Sequence, residues 1–231
     1  NNRKRLGNSR TTNKIPKPSL STSQQENRQQ KHMQDRNIFL APGTGQYVKN
    51  YGVDNGADIW LGKETLPTDT PQCFIGHSLG VSFLLSGNID ISCIFICVNP
   101  LIKKRSLLSL CIRWIKFLLF EGIPKEKLVP VTYWPGNIKK ALQLLKIDTL
   151  SELQKLPKEN VCIIRGAGDV YFCTKDDVAM LKKCGFTVLE VNAGHDWNEN
   201  IKNAVLNILK DREMPNGNSY PSLNSSLLKK L

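Results

Sequence analysis

Ser78 carries the clearest chemical potential in this chain of 231 residues. It sits in Gly76-His77-Ser78-Leu79-Gly80, a G-x-S-x-G pentapeptide. The largely apolar run Gln72-Cys73-Phe74-Ile75 precedes it, and Val81 to Leu85 follow at helical spacing. A strand, a one-residue elbow and a helix form the setting in which such a serine becomes a nucleophile. Glycines on both sides let the chain turn sharply, since a Cβ at either place would crowd strand against helix. The Leu79 amide then falls at a helix N-terminus, where an oxyanion can be held.

A hydroxyl is a poor nucleophile at neutral pH and needs an adjacent base. The chain has three histidines. His32 lies in a polar N-terminal tail, and His77 neighbours the serine on the elbow, where its side chain should point elsewhere. His195 remains, in a Gly194-His195 loop between an apolar run and a helical one. A base of this kind needs an acceptor to fix its tautomer and stabilise the imidazolium. Asp169, behind Gly166-Ala167-Gly168, is the best placed; Asp176 and Asp177 are weaker, resembling first-turn helix residues. A second oxyanion donor should come from the loop Pro42-Gly43-Thr44-Gly45, with the Thr44 N–H favoured and Gly43 next.

The elements around these residues read as an alternation. Strands are expected at 37–41, 72–75, 92–98, 160–165 and 186–191, and a further one at 57–61. Helices are expected at 78–86, 138–145, 150–156, 176–183 and 197–212. Continuous apolar runs such as Cys93-Ile94-Phe95-Ile96-Cys97-Val98 are those of strands buried on both faces. Strands alternating with helices imply a mostly parallel α/β sheet flanked by helices, with function at the carboxyl ends of the strands. Ser78, Asp169 and His195 all fall there.

In that order on alternating strands and helices, Ser78, Asp169 and His195 resemble the α/β-hydrolase superfamily. Gly76 to Gly80 looks like its nucleophile elbow, Gly168-Asp169 like the acid loop and Gly194-His195 like the histidine loop. Pro42-Gly43-Thr44 stands where the family usually has a His-Gly motif, with Pro in place of His. The resemblance covers roughly residues 37–212 and implies that residues 101–156 form a helical cap. The family's sheet begins with further strands before the oxyanion loop, and residues 1–36 offer none. Either the sheet is reduced or an N-terminal part is missing. The implied activity is that of a serine hydrolase of the carboxylesterase, lipase or thioesterase kind, with a small-molecule ester or acyl substrate and no cofactor. A catalytically silent binding or regulatory protein on the same scaffold is the alternative.

Charge and composition narrow the partners. Of the net +12, residues 1–36 carry +7, from nine Lys and Arg against Glu26 and Asp35. That tail is polar and aperiodic, expected to be disordered. With the excess in a tail, the chain as a whole does not read as a nucleic-acid binder. Residues 101–120 are strongly apolar, with Ser106, Ser109, Arg113 and Lys116 forming one polar stripe. Such a helix can close a cap, line an acyl pocket or, with its basic residues and the basic tail, meet an anionic membrane surface. Seven cysteines, an odd number without a C-x-x-C pair, fit reduced thiols and a cytoplasmic setting, and no His lies near a Cys pair at metal-ligand spacing. Residues 213–231 are Pro-, Asn- and Ser-rich and expected to form a flexible tail.

Overall fold

A computed structural model describes residues 37–67 and 69–212. The expected tails, 1–36 with His32 and 213–231, lie outside the described residues. Five strands form one sheet in sequential order: β1 (Ile38–Ala41), β2 (Cys73–His77), β3 (Ile94–Val98), β4 (Val161–Gly166) and β5 (Val188–Val191). Every pairing is parallel. Strands β1 to β4 are buried at every position, and this is why they are almost wholly apolar, with His77 and Arg165 as exceptions.

Alternation along each strand sorts the side chains into two layers. Phe39, Phe74, Phe95 and Ile163 face one way, against α1 (Leu79–Leu85), α4 (Thr149–Leu153) and α5 (Lys175–Lys183). Leu40, Ile75, Ile96 and Ile164 face the other, against α6 (Glu199–Asp211) and the turn holding Val48 and Tyr51. The division follows from handedness. Right-handed crossovers between successive parallel neighbours place α1, α4 and α5 on one face, and the C-terminal helix covers the other.

Residues 57–61, expected as a strand, form none. Gly56 makes a single parallel bridge to Leu40, and the chain then turns through a short 3-10 helix at Ile59–Leu61. The sequence Ile59-Trp60-Leu61 is apolar because Ile59 and Trp60 are fully buried from within that turn, with the Trp60 indole N–H donating to Pro42 O at 3.2 Å.

Between β3 and β4 the chain leaves the sheet. Helices α2 (Leu107–Phe120) and α3 (Trp134–Leu144) stand over the carboxyl edge, while α4 returns to the sheet layer through buried Leu153. The Ser106 hydroxyl caps α2 by accepting from the Ser109 N–H at 3.3 Å. Asp177, weighed as a possible acid, closes a capping box with Thr174 at the start of α5 and pairs with Arg105 at 2.5 Å.

Candidate active site

The elbow is strained where the pentapeptide requires it. Ser78 adopts φ 53° and ψ −121°, a region L side chains rarely occupy. That conformation lifts the side chain off β2 and starts α1 directly behind it. A Cβ on Gly76 would approach the Val81 Cα to 2.7 Å, and one on Gly80 would collide with the Ala41 carbonyl. Both glycines are therefore required by close approach of helix, strand and β1.

His195 follows β5 and Asp169 follows β4, so both reach the same edge as Ser78. His195 Nε2 lies 3.0 Å from Ser78 Oγ, and its Nδ1 lies 2.7 Å from Asp169 Oδ2. All three side chains are buried. The Asp169 carboxylate also accepts backbone N–H groups from Tyr171, Phe172 and Cys173, at 3.0, 3.0 and 2.9 Å. Burial alone would raise its pKa. Its pairing with His195 and the Phe172 and Cys173 amides outweigh burial and hold the carboxyl well below the usual range. Arg165 fixes the loop from beneath, donating to Asp169 O and Cys173 O at 2.9 and 2.6 Å.

Three further side chains hold His195 by its backbone, and two of them, Asn99 and Glu121, did not stand out in the sequence. Asn99, just past β3 at φ 45°, donates from Nδ2 to Gly194 O and His195 O and accepts the Gly166 N–H at 2.8 Å. It thereby ties the acid and histidine loops together. Glu121, at the end of α2, accepts the N–H groups of His195 and Asp196 at 2.6 and 3.1 Å. His77 Nε2 lies 2.9 Å from His195 O. A carbonyl only accepts, so Nε2 carries the His77 proton. Nδ1 then faces the Tyr51 hydroxyl at 2.7 Å, which also contacts Gln46 Oε1 at 2.9 Å. Burial and the neighbouring His195 lower the His77 pKa to about 4, keeping the ring neutral. His77 thus points away from the serine, as expected, but serves as a strut. The sequence signal was only its place inside the pentapeptide.

The expected oxyanion donors divide. The Gly43 N–H donates to Tyr51 Oη at 2.8 Å and is committed within the protein. Thr44 and Leu79 both line a cavity beside Ser78, and Leu79 is the first residue of α1, where amides lack helical acceptors. The cavity has a volume near 360 Å³. Apart from the polar groups at its floor and Asn137 on α3, its walls are apolar, with Leu110, Trp114 and Phe117 from α2 facing Ile138, Ala141 and Leu145 around α3. Phe117 and Phe172 flank the His195 ring at 5.5 and 4.5 Å between centroids. No group of three or more potential metal ligands occurs among the described residues.

Together, the five-stranded parallel sheet, the strained elbow, the loops after β4 and β5 and the helices over the carboxyl edge give the described residues an α/β-hydrolase-like fold. No family model and no curated protein matches the chain. Among solved structures it is similar to a carboxylesterase of Nitrososphaera gargenis, at 13% identity and a TM-score of 0.43, covering 75% of this chain and 89% of the other. An esterase of Pyrococcus furiosus is similar at 16% identity and TM-score 0.43, covering 78% and 83%. A deformylase of N-formylmaleamic acid from Pseudomonas putida S16 gives 15% identity and TM-score 0.38, covering 73% and 90%.

Proposed function

We propose that the protein is a serine hydrolase that cleaves an ester or thioester of an apolar acyl group through an acyl-enzyme on Ser78. The observation that carries this is the hydrogen-bonded series Ser78–His195–Asp169 opening onto an apolar cavity from a strained elbow. In the reaction, Ser78 Oγ attacks the carbonyl carbon while His195 Nε2 takes its proton. Asp169 accepts the Nδ1–H and stabilises the imidazolium. The Leu79 and Thr44 amides receive the developing oxyanion. His195 returns the proton to the leaving oxygen or sulfur, and the same cycle run with water releases the acid. The largely apolar walls of the cavity favour an apolar acyl chain. Rapid mixing with excess p-nitrophenyl octanoate should give a nitrophenol burst stoichiometric with protein, followed by slower turnover. Hydrolysis at the rate of Ser78→Ala, without a burst, counts against the reading.

A further inference from the structure

The cap turns its apolar side outward. Of the fourteen large hydrophobic residues exposed among the described residues, twelve lie between 107 and 142. On α2, Leu108, Leu119 and Phe120 are 72%, 74% and 78% exposed. The polar stripe read in the sequence would be expected to face water. Instead, Ser109 and Arg113 are half-buried, and Arg113 donates to the Tyr171 carbonyl at 2.8 Å beside the acid loop. The helix is thus anchored by Leu110, Phe117 and part of its polar stripe, and it still presents leucine and isoleucine to solvent, unlike an ordinary surface helix.

Charge is segregated in the same place. Residues 101–147 hold ten Lys and Arg against Glu121 and Glu126. The remaining described residues hold eleven Lys and Arg against fifteen Asp and Glu. Lys116, Lys125 and Lys139 are exposed on or between the two cap helices. The mouth of the cavity opens within this surface, since Leu107, Leu118, Trp134, Ile138 and Leu142 both line the cavity and are exposed.

We infer that the outer face of α2 and α3 docks on an anionic lipid bilayer, and that the acyl substrate enters the cavity from it. An apolar face with a basic surround matches the hydrocarbon boundary beneath anionic headgroups, where burial and charge attraction act together. At 14 residues α2 is too short to span a bilayer and lies along the surface. The route of substrate rests on the hydrolase reading above; the docking does not.

The test separates the two. The full chain carrying Ser78→Ala, which removes turnover, is floated with vesicles of phosphatidylcholine alone or mixed with phosphatidylserine. It should float with the mixed vesicles, and raised salt should weaken the association. Adding Leu108→Glu and Leu119→Glu, neither of which lines the cavity, should weaken partitioning about a hundredfold, from about tenfold or more per leucine removed from the bilayer. In the chain with Ser78 intact, the same pair should spare turnover of a soluble ester and reduce turnover of an ester embedded in the mixed vesicles. Absence of flotation would overturn the docking. So would flotation indifferent to the glutamates, which would assign it to the basic tail. A dimer that these substitutions dissociate, without vesicle binding, would assign the face to a second copy of the chain.

Discussion

Asp169→Asn is the most informative single change. Four N–H groups converge on the Asp169 carboxylate: His195 Nδ1 at 2.7 Å and the Cys173, Phe172 and Tyr171 amides at 2.9, 3.0 and 3.0 Å. An asparagine offers one oxygen and one NH₂ in their place. With the oxygen toward His195 and Cys173, the NH₂ faces two backbone N–H groups that nothing else can satisfy. With the oxygen toward Tyr171 and Phe172, the NH₂ faces Cys173 and His195, and His195 relieves its share by moving its proton to Nε2. The second arrangement leaves one buried donor opposed rather than two, and each such donor costs about 1–3 kcal/mol. The variant therefore settles with the wrong tautomer, in which Nε2 cannot accept the Ser78 proton. Turnover should fall by roughly 10³–10⁴ with KM little changed, and stability by about 1–3 kcal/mol. Soluble-ester kinetics and urea unfolding on the same sample measure both. A folded variant within tenfold of wild-type turnover would refute the reasoning.

Two further outcomes follow from the struts behind His195. Asn99→Ala strands the Gly166 N–H and removes the donor to two loop carbonyls, so urea unfolding should show a loss of about 2–3 kcal/mol and ester turnover should drop with it. A variant as stable as wild type would remove Asn99 from the account. His77 has a pKa near 4 in the fold, against about 6.5 for a free histidine, so the unfolded chain binds its proton first. Its contribution to stability is complete above pH 6.5 and is lost as pH falls toward 4, on the order of 3 kcal/mol in all. His77→Gln should flatten the fall of the urea midpoint over that window, and an unchanged slope would contradict the assignment.

What the sequence disclosed depended on range. Ser78, Asp169 and His195 were legible because each lies at the end of an apolar run with glycine close by, two residues away on either side of Ser78 and directly before Asp169 and His195, a local signature of a strand meeting a loop. Strands β1 to β4 were legible because burial on both faces leaves few polar residues to interrupt them, and the edge strand β5 was legible from Val188, Leu189 and Val191 despite the exposed Glu190. Trp60 misled for the same reason: an apolar triplet filling a core from a 3-10 turn looks like a strand in one dimension. Asn99 and Glu121 stayed hidden because their partners lie 67 and 74 residues away, beyond any periodic pattern. The polar stripe of α2 was visible in its spacing, but its direction was not. The half-burial of Ser109 and the contact from Arg113 to the Tyr171 carbonyl show that this part of the stripe turns inward while Leu108 and Leu119 face out.

We propose that Ser78 is a nucleophile activated by His195. Intact-mass and peptide analysis after treatment with a fluorophosphonate measures this directly. One adduct per chain is expected, on Ser78, absent in Ser78→Ala and formed far more slowly in His195→Ala. Folded protein that remains unmodified, or an adduct on another residue, would contradict it.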